Sequence, residues 1–320
     1  MKESCIPLPP IDYPDGVTTI DVAYVRSGFA ASHLIVENGY AAFIDTGTSL
    51  SVPLLLKVLA EKGISREKVT HVMPTHVHLD HAGGAGALMQ EFPNAFLVAH
   101  PRGGRHMIDP AKLIAGTVAV YGEEKTQKLY GTIVPVPEER VLIAKDESRI
   151  DFHGRSLLFL DAPGHALHHY CVIDESTNSV FSGDNFGISY REFDNENGAF
   201  IFPTTTPVQF DPEAMRKTLD RLLSYNPQVV YLTHFGRVTN IEKLGSDLRN
   251  CLDQFTEMAL VLKQEGKAQQ DSLASGVQQI LRDRLKKHNC QLPESRQDEL
   301  LIFDYQLNAQ GIKVWLDRLG

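Results

Sequence analysis

Clustered basic charge is what this chain has least of. Across 320 residues, 31 Lys and Arg stand against 40 Asp and Glu, a formal charge of −9, and no basic run is longer than Arg284-Leu285-Lys286-Lys287. Binding to a phosphate backbone depends on clustered cations and counterion release, so a nucleic-acid partner is not expected. Long apolar runs are missing too. None reaches the roughly 18 residues of a membrane span, and Met1–Pro14 mixes charge and proline where an export signal needs an apolar stretch. No membrane partner is expected, and a cytoplasmic location is. Cysteine is sparse: Cys5, Cys171, Cys251 and Cys290 show no C-x-x-C spacing. In a chain of this size without an export signal that reads as free thiols, neither staples nor a metal clip.

Histidine, by contrast, is plentiful, with 13 in the chain and several crowded together. The length lies slightly beyond the size at which one hydrophobic core stops growing, so one large domain with an appendage, or two domains, is expected. Val17–Val25, Ala31–Val36 and Ala41–Ile44 read as strands, the last two flanking Asn38-Gly39, a hairpin signal. Val52, Leu55, Leu56, Val58 and Leu59 switch to a helical period. Val69–Met73 returns to an apolar strand stopped by Pro74, followed by a helix near Ala85–Glu91 and a strand at Ala95–Ala99. This alternation predicts an α/β class. Arg102–Lys128 reads as a helical insertion. The closely spaced strands Arg140–Ala144, Arg149–Phe152, Ser156–Leu160, His169–Ile173 and Ser179–Phe181 suggest a second, mainly antiparallel sheet. Asp211-Pro212 opens a helix, Val229–Leu232 closes the unit, and from about Asn240 the spacing is helical, ending in Tyr305–Leu319. The expected division is a catalytic domain over residues 1–239 and a helical region over 240–320, docked on it because no Gly/Ser-rich linker intervenes.

The segment Thr75-His76-Val77-His78-Leu79-Asp80-His81-Ala82-Gly83-Gly84 places three imidazoles and a carboxylate on one loop, after an apolar strand and before a helix entry. That is where α/β folds put their sites. Neutral imidazole nitrogen and carboxylate oxygen suit Zn, Fe or Mn better than Ca or Mg. Asp45-Thr46-Gly47 precedes this loop, and Pro163-Gly164-His165, Ser182-Gly183-Asp184 and Leu232-Thr233-His234 follow it in order. On these motifs the chain resembles the metallo-β-lactamase superfamily over roughly residues 17–238. The resemblance implies an αββα sandwich, two central mixed β-sheets flanked by helices, with a C-terminal helical cap. It implies that His76, His78 and His165 bind one divalent metal ion and Asp80, His81 and His234 a second, with Asp184 bridging. Zinc is the first choice, iron or manganese the alternatives. Asp45 and His169 would support the ligands from behind.

Such a metal pair brings the pKa of a bridging water toward roughly 7 and polarises the oxygen under attack. The implied reaction is therefore hydrolysis of a small-molecule substrate by a metal-bridging hydroxide, with Asp80 and Asp184 as catalytic carboxylates. Imidazoles must be deprotonated to bind, so activity should collapse below about pH 6. In the long connection after Asp184, Tyr190 is a candidate donor to a developing oxyanion, and Phe200 and Phe202, with His168, are candidate substrate contacts. His71, His100, His106 and His153 lack motif context and read as core or surface residues; Cys171 reads as a small buried apolar residue.

Fold alone does not choose the substrate. The second metal position has no Cys, unlike the commonest true β-lactamases, and Gly187 stands where acyl-homoserine lactonases carry a Tyr. The extra motifs of RNA-processing members are not found. The ligand set and helical C-terminal region are similar to those of glyoxalase II and of thioesterases in quinolone signalling, so an ester or thioester is the expected bond. Phosphodiester or lactone hydrolysis is the alternative. From other classes, an iron-dependent redox enzyme (a persulfide dioxygenase or an oxygen-reducing di-iron protein) and a non-catalytic regulatory protein stay open, although such di-iron reducers typically carry Glu where His78 stands. A homodimer is also left open.

Overall fold

The first sheet takes its strands in chain order: β1 (Ile11–Asp12), β2 (Val17–Asp21), β3 (Ala31–Glu37), β4 (Tyr40–Ile44), β5 (Val69–Met73), β6 (Phe96–Ala99) and β7 (Val141–Ile143). Pairing is antiparallel from β1 to β4 and parallel from β4 to β7. Parallel neighbours need a crossover, and helices supply it. α1 (Val52–Glu61) joins β4 to β5, α2 (Leu79–Ala82) and α3 (Ala85–Glu91) join β5 to β6, and α4 (Gly104–Ile108), α5 (Ala111–Tyr121) and α6 (Glu123–Tyr130) fill the expected insertion before β7. Asn38 and Gly39 take φ of 48° and 78°, the left-handed pair that a two-residue hairpin turn requires. The strand expected over Val17–Val25 ends at Asp21. The buried Asp21 carboxylate accepts the N–H groups of Leu8, Ala23 and Gly28, each at 2.9 Å, and folds the chain into a loop instead.

The computed structural model describes residues 6–320, so Cys5 lies outside them. The second sheet runs β13-β12-β11-β10-β9-β8, with β8 Arg149–Phe152, β9 Arg155–Asp161, β10 Tyr170–Asp174, β11 Ser179–Gly183, β12 Val229–Leu232 and β13 Gly236–Val238. It is antiparallel across β8 to β11. All residues of β10, β11 and β12 are buried, so burial does not alternate along these strands. Between the sheets, the β3 imidazole of His33 lies 5.6 Å from the Phe181 ring and 5.3 Å from the Tyr231 ring. Tyr170 Oη on β10 donates to the carbonyl of Val98 on β6 at 3.0 Å. The insertion is fastened where it rejoins the sheet. Gly86 on α3 lets the Val134 carbonyl within 1.8 Å of where a Cβ would stand. The Arg140 guanidinium donates to the carbonyls of Met89 and Ala95, both at 2.7 Å.

Two compact units result. The first comprises Met1–Asp161, His168–Gly183 and Tyr231–Arg237; the second comprises Ala162–Leu167, Asp184–Val230 and Val238–Gly320. In the second unit α7 (Pro212–Ser224) starts on Asp211, whose carboxylate accepts from Ala214 N at 3.0 Å. Helices α8 (Ile241–Gln264), α9 (Gln270–Lys287) and α10 (Glu294–Arg318) follow. Leu244, Leu248, Leu252, Phe255, Leu273, Val277, Leu281 and Leu285 bury the stripes seen in the sequence. α10 begins at Glu294, well before the expected Tyr305. Its first turns, Glu294 to Glu299, are wholly polar, and the apolar period that marks a helix in sequence appears only from Leu300. The region after residue 240 shares its unit with 184–230 through direct bonds: Thr205 N donates to Asn308 Oδ1 at 2.7 Å, and Thr205 Oγ1 to the Asn308 carbonyl at 2.9 Å. Cys171, Cys251 and Cys290 are not joined in disulfides. Among the described residues no helix is long and apolar enough to cross a membrane.

Candidate metal centre

Strands β4 and β5 are parallel neighbours, so their carboxyl ends deliver Asp45 and Thr75-His76 side by side. Asp45 is fully buried and holds a left-handed φ of 54°, a conformation that costs a non-glycine residue energy. Its carboxylate compensates by collecting donors. Oδ1 accepts Thr75 N at 2.6 Å and Thr75 Oγ1 at 3.0 Å, and Oδ2 accepts His81 Nδ1 at 2.8 Å and Thr233 Oγ1 at 2.5 Å. One side chain thus ties together the ends of β4, β5 and β12 and the short helix α2. The carbonyl of His81 accepts Thr46 N at 2.7 Å, which fixes α2 from the other side.

These bonds set the tautomers. With Nδ1–H of His81 given to Asp45, the neutral ring keeps its lone pair on Nε2, which lies 3.9 Å from Asp80 Oδ2. His234 Nδ1 donates to the Phe29 carbonyl at 2.8 Å, leaving its Nε2 lone pair 3.4 Å from the same Asp80 oxygen. Thr75 Oγ1, having given its proton to Asp45, accepts from His76 Nδ1 at 3.2 Å, and His76 Nε2 then sits 2.9 Å from His78 Nδ1. Lone pairs facing carboxylate oxygen repel unless a cation lies between them. Donor atoms roughly 2.0–2.2 Å from one tetrahedral ion are about 3.4 Å apart, so the spacing of this donor set fits a metal. Asp80, His81 and His234 each offer a ligand atom, all within 4.8 Å of one another.

In the second unit, His165 is buried and its Nδ1 is 3.3 Å from the Thr204 carbonyl, while Nε2 lies 3.3 Å from Asp184 Oδ2. Its backbone N donates to Asn185 Oδ1 at 3.1 Å. This pair repeats the pattern of imidazole lone pair against carboxylate. Gly183, at the end of β11, has φ of 51°, and a Cβ there would stand 2.5 Å from Thr75 Oγ1 and 2.6 Å from His169 Nε2. Only glycine lets β11 pass this close to the residues behind the histidine loop.

The His169 ring stacks 4.7 Å from that of His76, and His168 lies 5.5 Å from His78. Tyr190 is buried and donates to both oxygens of Asp304 at 3.2 Å. Phe200 and Phe202 are buried in the same aromatic cluster, 5.8 Å from Phe193 and 5.9 Å from Tyr190 respectively. His100 pairs with Asp161 at 2.8 Å, and His153 stacks on Tyr40 at 3.7 Å. The sequence reading overlooked Thr75 and Thr233, whose hydroxyls both reach Asp45. The available signal was a Thr-His step at the end of a strand, present at both places.

His33 carries a pH signature. Burial is the main cause that lowers its pKa to about 4, against the opposing bond to the Leu232 carbonyl and the Asp45 charge; His71 is lowered to about 4, also chiefly by burial. Between pH 6.5 and 4 the unfolded chain binds protons that the folded chain refuses. The stabilisation is therefore complete above pH 6.5 and is lost as pH falls toward 4. His33 alone accounts for a loss on the order of 3 kcal/mol. Urea unfolding of the metal-free protein at pH 7 and pH 5 checks this; equal midpoints would contradict it.

A family model described as the metallo-β-lactamase superfamily matches residues 25–234, about two thirds of the chain. A metallo-β-lactamase fold-containing protein of Sulfurisphaera tokodaii is 26% identical over 243 residues, covering 73% of this chain and 78% of its own length. An atrochrysone carboxyl ACP thioesterase of Emericella nidulans is 25% identical over 244 residues, covering 74% of this chain and 62% of its own length. Among solved structures, an archaeal superfamily protein from Sulfolobus tokodaii aligns with TM-score 0.60 and 23% identity over 76% of this chain and 87% of its own. A family protein from Thermus thermophilus aligns with TM-score 0.59 and 20% identity, over 97% and 91%. The two sheets with flanking and C-terminal helices have the fold of these proteins.

Proposed function

Since this chain belongs to the metallo-β-lactamase superfamily and is one of its metallo-hydrolases, we propose that it cleaves an ester or thioester bond in a small-molecule substrate with two divalent metal ions. The ligands we propose are those that the family resemblance implies: His76, His78, Asp80, His81, His165, Asp184 and His234. The bound ions, zinc first among them, supply Lewis acidity and bring the pKa of water toward about 7. The protein's own residues do the rest. Asp45 orients His81 directly and His76 through Thr75, so that each ring offers Nε2. Asp80, on the exposed side of the cluster, and Asp184 are the carboxylates that hold and pass on the proton released in hydrolysis.

The observation that carries this reading is the Asp80 carboxylate faced by the lone pairs of two imidazoles whose tautomers are fixed from behind. The choice of a thioester is supported by the atrochrysone carboxyl ACP thioesterases among the relatives. The test is turnover of thioester, lactone and phosphodiester reporters by the zinc-loaded protein. Thioester hydrolysis should be fastest, should vanish with a chelator and return with metal, and should drop about 100-fold or more in His76→Ala. Chelator-insensitive turnover, a phosphodiester preference, or substrate-dependent oxygen uptake by an iron-loaded form would overturn it.

A further inference from the structure

His33 belongs to no motif and touches no proposed ligand, yet its ring bonds the first sheet to the strand end carrying His234. It lies on β3, fully buried. Its Nε2 is 3.1 Å from the Leu232 carbonyl, the last residue of β12, and its Nδ1 is 3.1 Å from Thr19 Oγ1 on β2. A carbonyl only accepts, so Nε2 carries the proton and Nδ1 accepts from the Thr19 hydroxyl. Thr19 and His33 are direct partners in the β2–β3 register, so the hydroxyl is delivered by the sheet itself. The ring is wedged between Phe181 and Tyr231.

The three residues after Tyr231 are then held one by one. His33 holds the Leu232 carbonyl, Ala31 N donates to the Thr233 carbonyl at 2.8 Å while the Thr233 hydroxyl goes to Asp45, and the Phe29 carbonyl holds His234 Nδ1. Three of these anchors, Phe29, Ala31 and His33, are alternate residues of one short stretch of chain. Removing the first anchor leaves a buried carbonyl without its donor and lets Leu232, and with it His234, shift. We infer that His33 is a positioning residue that sets the place of His234 and so the affinity of the Asp80, His81 and His234 metal position, with little influence on the His76 and His78 side. This rests on the metal-binding reading above.

The test is a zinc competition titration with a chromophoric chelator, read alongside metal content after gel filtration. His33→Phe keeps the ring between Phe181 and Tyr231 but cannot donate. It should weaken one of the two ions about 10-fold, leave the other within twofold, and retain about one ion per chain where the wild type retains two. His33→Gln, whose amide can still donate to the Leu232 carbonyl, should recover most of the loss. Should His33→Phe fail to fold, Thr19→Val, which removes only the donor to Nδ1, should show the same selective weakening to a smaller degree. Two ions held with wild-type affinity in a folded His33→Phe, or equal weakening of both ions, would overturn the assignment. A wild-type chain that retains no divalent ion would instead overturn the metal-binding reading on which it stands.

Discussion

Asp45→Asn should be among the most damaging conservative substitutions in the chain, costing about 3–5 kcal/mol of stability and weakening metal binding about 10- to 100-fold. The carboxylate receives four separate groups: the Thr75 N–H and hydroxyl, the His81 ring and the Thr233 hydroxyl. An amide offers one oxygen and turns the other position into a donor, so whichever way it is placed at least one donor meets another donor in a dry interior. Urea unfolding with and without zinc measures both effects. A variant with an unchanged midpoint and zinc affinity would take Asp45 out of the role given to it.

Gly311→Ala should cost about 3 kcal/mol or more, at the upper end of what overpacking does, because the obstacle is backbone. A Cβ at residue 311 would lie 1.4 Å from the Thr205 carbonyl oxygen, and the Thr205 segment cannot back away without breaking its bonds to Asn308. The same segment carries Thr204, whose carbonyl meets His165 Nδ1. A methyl group on α10 is therefore felt at a proposed metal ligand within the same unit. Thermal unfolding and zinc titration of Gly311→Ala should show both losses together. A destabilised variant with wild-type zinc affinity would show that the two are not linked.

Much of the centre could be read from residue order. The histidine loop follows an apolar strand and the later candidate motifs stand at the ends of others, so β5, β11 and β12 were legible as strands with histidine or aspartate at or just beyond their ends. The support behind the ligands was less legible. Thr75 and Thr233 are common residues whose hydroxyls acquire meaning only when Asp45, 30 and 188 positions away, folds between them. His33 sits in a strand like any other residue, and only the register with Thr19 and the nearness of Leu232 single it out. The bond from the Tyr190 hydroxyl to Asp304, on a helix whose polar first turns hide its start, leaves no trace in the sequence. Periodicity detects apolar faces; it has no way to register a bond between a loop and a carboxylate 114 positions later.

The excursion between β6 and β7 has a practical side. It is clasped at its return by the Val134 carbonyl against Gly86 and by the Arg140 guanidinium on the α3–β6 turn, while none of the side chains from Ala111 to Ala119 on α5 is fully buried. Because the sheet is secured outside that helix, α5 is a natural splice point: a reporter peptide or a fluorophore-bearing cysteine could be engineered there without asking any strand of the scaffold to move.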